Sequence, residues 1–355
     1  MIKKIQIFVL IMLLTGYLFS DKVGTLPEVM KPDNITIFGN ELYIVEGATI
    51  YIYSLKDLSL IRKFGKAGEG PGELRATPFF PTRITVSSDF ILGETRSKLV
   101  YFSKDGKLIK EKRKPNNLVM GFIPIGKNFV ATRMHQEEDK LIYNCTRVYD
   151  SDLKEIKELY RQKWVQQGIQ PPAIKLYMIM DFTNYRVYDD KIFIEESAKG
   201  FVIEAFDKAG NKLYQIKKDY EKIKVTDEQK EEIINRFKED PVIKIQANQQ
   251  GGWNEIKKLF TMIFPEAFPA IQDIGISNNI IYVQTYKVIN NKEEYLVLDL
   301  KGNIVKKVFI PKFEGTPIMA RILGAKLHTI KNNKLYYLTE NIDEEEWELH
   351  AEEIK

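Results

Sequence analysis

The stretch Phe64–Leu74 reads F-G-K-A-G-E-G-P-G-E-L and contains four glycines and one proline. Runs of β-branched and aromatic residues, which are typical of strands, lie on both sides of it. Glycine and proline punctuate regular structure, so the stretch predicts a tight connection between strands. A phosphate-binding loop fits poorly, because Pro71 has no amide donor and no G-K-S/T sequence follows. We interpret the stretch as the joint between two copies of one structural unit.

The unit on each side of the joint consists of four short strand-like segments separated by turn residues. In the first copy the segments are Ile35–Phe38, Leu42–Glu46, Thr49–Ser54 and Leu60–Phe64. The turn between the third and fourth segments recurs along the chain as an aromatic or Leu residue, then Ser or Asp, then a turn that often contains Gly. Its anchoring residues, about 49, 47, 57 and 92 residues apart, are Ser54, Ser103, Asp150, Asp207 and Asp299. A period of about 45–50 residues with four strands per repeat predicts a β-propeller.

The repeats predict an all-β fold, a six-bladed β-propeller of four-stranded antiparallel blades. The last unit has three strands, and we expect Lys22–Glu28 to supply the fourth and so close the ring, which removes a free sheet edge. The long final spacing predicts an insertion over residues 220–269, between blades four and five. Thr226 followed by Gln229 is a capping-box pattern, and Asp240-Pro241 ends that helical run. A second helix is predicted over Trp253–Phe264 from the spacing of its apolar residues.

Residues 1–20 differ in character from the rest of the chain. Lys3 and Lys4 precede an apolar run that is too short for a comfortable membrane span, a pattern typical of a secretory signal peptide. An uncleaved N-terminal anchor is the alternative, and it is the one predicted contact with a membrane. We therefore expect residues 21–355 to form a single propeller in an extracytoplasmic location, periplasmic or secreted. The net charge of +4, spread along the chain, argues against a nucleic-acid partner.

The run from Phe64 to Pro78, F-G-K-A-G-E-G-P-G-E-L-R-A-T-P, resembles the joint of NHL-type repeats. The following I-T-V-S-S-D-F-I-L-G-E-T-R-S-K-L-V-Y-F-S-K-D-G-K-L-I looks like such a repeat as well. Over about residues 25–350 the chain resembles the secreted bacterial six-bladed β-propeller proteins, a largely uncharacterised group. The resemblance implies the fold and a late helical insertion, and it transfers no catalytic residue.

A binding site is expected at the centre of the face that carries the long segments between blades. The second strands end at that face with Glu46, Glu94, Arg133, Glu195, Gln284 and Glu340. Their carboxylates could hold Ca²⁺ or simply line a wet channel. Near the innermost strands, Arg83, Arg186 and Arg321 could bind an anionic group or pair with those carboxylates. Further binding candidates are Arg75, beyond the joint, and Trp164, with Tyr177 and Phe182, for stacking on a sugar or peptide.

Two functional interpretations follow. The preferred one is a binding or scaffolding module for an unknown protein, peptide or carbohydrate. The alternative is a propeller hydrolase or lyase, lactonase-like, with Ca²⁺ at the central channel. The three histidines lack the spacing of a zinc site, and the sequence contains no G-x-S-x-G and no P-loop. We therefore assign no catalytic residue and no metal ligand, and no cofactor apart from the Ca²⁺ of the alternative.

Overall fold

The computed structural model describes residues 21–76, 81–137, 142–164, 169–170, 173–179, 184–312 and 326–354. Six four-stranded antiparallel sheets, here called blades one to six, make up most of this structure. This confirms the predicted six-bladed β-propeller.

The chain enters through β1 (Asp21–Thr25) and then forms the first three blades in order. Blade one consists of β2 (Asn34–Phe38), β3 (Glu41–Glu46), β4 (Thr49–Ser54) and β5 (Leu60–Phe64). Blade two consists of β6 (Arg83–Val86), β7 (Ile91–Glu94), β8 (Lys98–Phe102) and β9 (Leu108–Arg113). Blade three consists of β10 (Val119–Ile125), β11 (Asn128–Gln136), β12 (Ile142–Tyr149) and β13 (Glu155–Trp164).

The remaining blades follow a short segment containing β14 (Ile169–Gln170) and β15 (Ala173–Tyr177). Blade four consists of β16 (Tyr185–Tyr188), β17 (Lys191–Glu195), β18 (Phe201–Asp207) and β19 (Lys212–Lys218). After an insertion that ends with β20 (Phe260–Ile263), blade five consists of β21 (Asp273–Ser277), β22 (Ile280–Ile289), β23 (Lys292–Asp299) and β24 (Ile304–Pro311). Blade six consists of β25 (His328–Lys331), β26 (Lys334–Asn341), β27 (Glu346–Glu353) and the N-terminal strand β1.

The two ends of the chain close the ring, as predicted. Strand β1 pairs antiparallel with β27 and forms the outer edge of blade six. At the centre, the amide of Ile35 on β2 donates a 3.0 Å hydrogen bond to the carbonyl of Lys326, just before β25. The innermost strands contact one another in a complete cycle, in the order β2, β6, β10, β16, β21, β25 and back to β2. Over the residues that the structure describes, each blade is therefore supported on both faces and at its inner edge.

The hydrophobic core is divided among the interfaces between blades. Each of the six buried clusters joins residues of two neighbouring blades, for example Tyr43 and Ile52 of blade one with Val100 and Phe102 of blade two. Because successive residues of a strand point to opposite faces, every blade can pack against both of its neighbours. The blades are consequently rigid supports for the segments that connect them.

The glycine-rich joint is shaped by sterics rather than by ligand chemistry. Gly65 has φ +104°, and a Cβ placed there would lie 2.1 Å from the carbonyl oxygen of Ala48. The Glu73 carboxylate accepts a 2.8 Å hydrogen bond from the amide of Gly70, which holds the turn together. Leu74, at the end of the joint, is fully buried in the cluster between blades one and two. The joint thus anchors one blade on the next.

The recurring turn between third and fourth strands is held by hydrogen bonds from backbone amides to the anchoring Ser or Asp side chain. The Oδ1 atoms of Asp150, Asp207 and Asp299 each accept bonds of 2.8–2.9 Å from the backbone amides two and four residues later. Ser54 Oγ accepts from the amide two residues later at 3.2 Å, and Ser103 Oγ accepts from the amide four residues later at 3.1 Å. These turns, together with those between first and second strands, define one face of the propeller, which we call the turn face.

The insertion between blades four and five contains α1 (Asp227–Glu239), α2 (Pro241–Gln249) and α3 (Trp253–Lys258). The predicted capping box is present: the Gln229 amide donates to Thr226 Oγ1 at 3.2 Å, and the Thr226 amide donates to Gln229 Oε1 at 3.0 Å. The buried side chain of Phe237 makes edge contacts with the rings of Trp253 and Phe260, which join α1 to the rest of the insertion.

One prediction for the insertion is confirmed and one was wrong. Helix α1 ends at Glu239 with Asp240 as its C-cap, as predicted, and Pro241 begins the separate helix α2, because proline suits the first position of a helix, where its missing amide has no partner to lose. The second predicted helix stops at Lys258, and Phe260–Ile263 forms β20 instead. This strand pairs in parallel with β15, in the segment between blades three and four. Because β15 is distant in the sequence, the spacing of apolar residues around 260–263 does not reveal this pairing.

Candidate functional site

Charged residues stand where several innermost strands begin. They are Arg83 in blade two, Arg186 in blade four, Asp273 in blade five and Lys326, two residues before β25, in blade six. Because each inner strand is entered from an inter-blade segment, these residues lie on the face opposite the turn face. We call the region they occupy the mouth. The ends of the second strands reach the same face, with Glu94 opposite Arg83 and Gln284 opposite Asp273.

Glu94, one of the predicted site residues, is used to join two blades. Its side chain is 7% exposed, and Oε1 lies 2.9 Å from Nζ of the buried Lys114. Its Oε2 accepts 2.9 Å hydrogen bonds from the amides of Gly121 and Phe122, in the inner strand of blade three. Both oxygens are thereby engaged in structural bonds.

Three further members of the predicted set bind local segments in a similar manner. Glu46 accepts hydrogen bonds from the amides of Met30 and Lys31, at 3.2 and 3.0 Å. Glu195 accepts a 3.2 Å bond from the backbone amide of Asn184, and the side-chain Nε2 of Gln284 donates a 2.6 Å bond to the Glu293 carboxylate. Within the described ranges, no group of three or more His, Cys, Asp or Glu side chains is arranged to hold a metal ion.

The other predicted residues are dispersed. Arg133 lies 3.7 Å from Glu155 of β13, and Glu340 is exposed on β26. Arg75 pairs with Glu69, and both side chains are more than 60% exposed (63% and 67%). Trp164 ends β13, but its side chain, like all of Phe182 and Arg321, lies outside the described residues. Of the predicted set, Arg186 is the residue that takes part in a shared cluster at the mouth.

That cluster is centred on Asp273. Nη2 of Arg186 lies 2.6 Å from its Oδ1, and Nζ of Lys326 contacts its Oδ2. Nε2 of His328 lies 3.9 Å from the same oxygen. Blades four, five and six thus each contribute a charged or titratable side chain to one point, and we call these four residues the Asp273 cluster.

The electrostatics of the cluster follow from its position deep in the ring. Burial opposes ionisation of Asp273, but the charges of Lys326, Arg186 and His328 outweigh it and hold the pKa of the carboxyl well below its usual range. Burial lowers the pKa of the Lys326 ammonium, and the charge of Arg186 acts in the same direction. The side chains still reach solvent, since Arg186 is 28% and Lys326 is 31% exposed. The cluster therefore forms part of an accessible surface at the centre of the ring.

A buried phenol lies close to the cluster. Tyr295 on β23 is 2% exposed, and its hydroxyl has no hydrogen-bond partner among the described residues. Burial raises its pKa well above the ordinary value, and the charges of Glu293 and Asp273 add to this effect. The group consequently stays protonated and can act as a hydrogen-bond donor at neutral pH.

Sequence reasoning missed Asp273, Lys326 and His328. A signal was available, because Asp273 and Lys326 stand at the starts of inner strands, as Arg83 and Arg186 do. Sequence reasoning chose the ends of the second strands instead, where carboxylates such as Glu94 bind backbone amides. The convergence of three blades on one carboxylate depends on tertiary structure.

A cavity of about 550 Å³ lies elsewhere, between blades three and four. Its lining includes Tyr160, Glu196, Lys199, Glu204 and Lys212. Lys199 pairs with Glu196 at 2.6 Å, and Lys212 pairs with Glu204, so these four charges neutralise one another. We therefore place the candidate site at the mouth and not in this cavity.

Comparison with known proteins agrees with the fold. Residues 27–170 match a family model described as a 6-bladed beta-propeller, DUF5128. This match and the observed blades support a β-propeller family, and the propeller fold supports an interaction module in general. No curated protein shows detectable similarity to the chain.

Several solved structures are similar at low identity. A member of the DUF4221 family from Bacteroides vulgatus has 12% identity and a TM-score of 0.49, covering 94% of this chain and 99% of that one. Kluyveromyces lactis Hsv2 has 10% identity and a TM-score of 0.40, with 92% and 99% covered. The computationally designed Ika8 protein has 8% identity and a TM-score of 0.42, with 94% and 99% covered. Similarity at this level carries no functional information. Among the described residues, no helix is long and apolar enough to cross a membrane.

Proposed function

We propose that the chain is an extracytoplasmic binding module that takes a protein, peptide or carbohydrate ligand on the face of the mouth. The propeller provides six rigid blades, and the described starts of the inner strands carry charged side chains at the mouth. The extracytoplasmic location is proposed from the charged start and apolar run of residues 1–20. The resemblance to secreted bacterial propellers supports the same location.

The observation that carries the proposal is the Asp273 cluster. It gathers partly exposed charged side chains from three blades at the centre of the face where propeller loops meet. Charged groups held by rigid strands at a solvent-accessible point favour recognition of a polar ligand.

The carboxylates at the mouth favour binding over the calcium-dependent hydrolase or lyase. Ca²⁺ needs several oxygen ligands directed at one point. Glu94 is instead neutralised by Lys114, and Asp273 is neutralised by Arg186 and Lys326. An added cation would have to displace these side chains, so we do not propose the enzyme as a second function.

The test is a comparison of ligand capture by the two faces. The full chain, immobilised, is exposed to an extracytoplasmic fraction of the source cells as wild type, as Arg186→Gln/Lys326→Gln, and as Lys56→Gln/Lys301→Gln. Lys56 and Lys301 are exposed in turns of the turn face. This control variant therefore removes two positive charges, as the mouth variant does. We expect the mouth variant to lose the captured species and the control to retain it. The reverse result, or equal capture by all three, would contradict the proposal.

The location is tested separately by cell fractionation of the tagged full chain. Recovery in the extracytoplasmic fraction is the expected result. Recovery in the cytoplasm would refute the proposed location without affecting the comparison of faces.

A further inference from the structure

We infer that one corner of the mouth face binds a protein segment that combines basic side chains with an apolar one. The corner lies where blade six meets blade one, and its apolar side chains are Met30, Ile342 and Trp347. We call it the seam corner. This inference rests on the proposed function, because it names the kind of ligand that the same face takes.

The apolar side chains of the seam corner are unusually exposed. Ile342, in the turn between β26 and β27, is 81% exposed, and Met30, between β1 and β2, is 68% exposed. Among the described residues, these are the two most exposed of the large apolar side chains. Apolar side chains gain nothing for the fold when they stand in water, and adjoining ones commonly mark an interaction surface.

The segments that carry these side chains are held in place. The indole Nε1 of Trp347, on β27, donates a 3.0 Å hydrogen bond to the carbonyl of Met30 and so joins blade six to the segment that enters blade one. In the turn that carries Ile342, the side chain of Asn341 donates a 3.0 Å bond to Glu348. A surface fixed in this way loses little conformational entropy when a partner binds, which favours docking.

The charge around these side chains is negative. Carboxylates stand in and beside the turn between β26 and β27, at Glu340, Asp343, Glu344, Glu345 and Glu346. The nearby cationic groups serve other carboxylates: Lys22 and His350 contact Glu348. In the same region, Lys63 contacts Glu28.

A wider count of charges keeps this sign. Lys31, beside Met30, is exposed, and its charge acts on Asp33. Glu46 also lies at the corner, where it binds the amides of both residues. The neighbouring hairpin of blade five adds as many cations as carboxylates, namely Lys287, Lys292, Glu293 and Glu294. With all of these included, the carboxylates still clearly outnumber the cations, even when His350 is protonated.

Charge and apolar surface together select one class of occupant. The exposed carboxylates repel an anionic lipid surface and nucleic acid, and an uncharged carbohydrate leaves their charge uncompensated. A protein segment with Lys or Arg on either side of an apolar side chain matches both features of the corner. The negative field also increases the rate at which a basic segment arrives.

The test is fluorescence anisotropy of the full chain with three short labelled peptides of one pattern, made of Leu and Lys, of Leu and Glu, and of Ser and Lys. We expect saturable binding of the Leu–Lys peptide by the wild type and none of the Leu–Glu peptide. The Ser–Lys peptide, which keeps the charge and lacks the apolar contact, should bind about tenfold more weakly than the Leu–Lys peptide.

One substitution tests the apolar contact. Ile342→Ser should weaken binding of the Leu–Lys peptide about tenfold, because it removes the most exposed apolar side chain of the corner. Val305→Ser is the matched control, since Val305 is 58% exposed on the outer strand β24, away from the corner. It should bind the peptide like the wild type.

A second pair of variants tests the charge. Asp343→Asn/Glu345→Gln should weaken binding of the Leu–Lys peptide about fivefold at low ionic strength and less at high ionic strength, where salt screens exposed charges. The control Glu228→Gln/Glu231→Gln removes two exposed carboxylates from α1 and should leave binding unchanged.

Absence of saturable binding, equal binding of the Leu–Lys and Leu–Glu peptides, or equal losses in the corner variants and their controls would each overturn the inference. Sedimentation that shows a wild-type dimer dispersed by Ile342→Ser would also overturn it, because the occupant would then be a second copy of the chain.

The capture experiment separates this inference from the proposed function. Ile342→Ser should lose the captured species, as the Arg186→Gln/Lys326→Gln variant does. Capture that depends on Arg186 and Lys326 but not on Ile342 would overturn the inference and leave the proposed function standing. Peptide binding at the corner without face-dependent capture would contradict the proposed function alone.

Discussion

On the turn face, the carboxylates of Asp150, Asp207 and Asp299 accept hydrogen bonds from amides within four residues of themselves. At the mouth, Asp273 binds side chains that come from blades four and six. The same functional group therefore shapes the local chain on one face and assembles distant parts of the chain on the other. We therefore expect a change in one turn to stay local and a change at Asp273 to affect side chains of two other blades.

The largest effect is expected from opening the ring at the seam of blade six, where β1 pairs with β27. Both faces depend on this closure. Deletion of residues 21–30 removes β1 and the fully buried Leu26 and Val29. The loss of this burial and pairing should lower the melting temperature by about 10 °C. Differential scanning calorimetry of the deletion variant measures this directly, and an unchanged melting curve would refute the closure of the ring by both ends.

The comparison of faces is tested most sharply by one substitution made on each. Asp273→Asn leaves two cations uncompensated and should reduce the free energy of unfolding by about 2 kcal/mol. Asp299→Asn keeps an oxygen that can accept the same turn hydrogen bonds, so its cost should stay within about 0.5 kcal/mol. Urea denaturation of both variants provides the measurement. Equal costs would show that the two carboxylates do not differ in the way described.

Two glycines of the turn face, Gly302 and Gly39, distinguish the energetic cost of backbone conformation from that of side-chain packing. Gly302 has φ +88°, and a Cβ there would lie 2.6 Å from the Ile216 side chain of blade four. Gly39 has φ +60° with no atom within 4 Å of such a Cβ. Gly302→Ala should cost about 2 kcal/mol and Gly39→Ala about 1 kcal/mol, because both suffer the backbone strain but only the former also clashes. Chemical denaturation of both variants measures the two losses of stability. A larger loss for Gly39→Ala would contradict the contact between the Gly302 turn and blade four.

The smallest effect concerns the seam and depends on pH. Glu348 on β27 lies 2.7 Å from Lys22 on β1, and this bond, with those from Asn341 and His350, lowers the pKa of its carboxyl from 4.5 to about 2. A lowered pKa in the folded state contributes stability above pH 4.5, and this contribution is lost as the pH falls toward 2. At pH 7, Glu348→Gln should be less stable by up to about 1 kcal/mol.

This difference should shrink steadily as the pH falls from 4.5 toward 2. Unfolding free energies of the wild type and Glu348→Gln at pH 7, 4 and 3 test the dependence, with Glu340→Gln, an exposed glutamate of the neighbouring strand, as the control. A difference that stays constant from pH 7 to pH 3 would argue against a role of the Glu348 carboxylate in the seam.

Much of the architecture was predictable because it depends on short stretches of chain. Strand alternation, the Asp and Ser of the turns and the Thr226–Gln229 capping box are all interactions between residues a few positions apart, and all are present. The prediction failed for a segment that pairs with a strand distant in the sequence. Phe260–Ile263 has helical spacing, but it becomes a strand because β15 offers it a parallel edge.

The candidate site was predictable only in its location. Antiparallel topology places the ends of second strands and the starts of inner strands on one face, so residues such as Glu94 and Arg186 could be selected. Their roles could not be predicted, because a carboxylate at a strand end can bond equally well to a backbone amide or to a cation of another blade. Glu94 binds amides of the next blade, whereas the unselected Asp273 became the centre of the mouth.

The amino-acid sequence by itself determined the number of blades, the turns and the strand supplied by the N-terminal segment, because periodicity and turn chemistry act over a few residues. Only the tertiary structure decided that Arg186, Asp273, Lys326 and His328 share one point, since they are brought together by closure of the ring and not by their spacing. The physical reason is that hydrogen bonds within a turn form between neighbours in the chain, whereas the charge balance at the mouth is the sum of side chains from three separate blades.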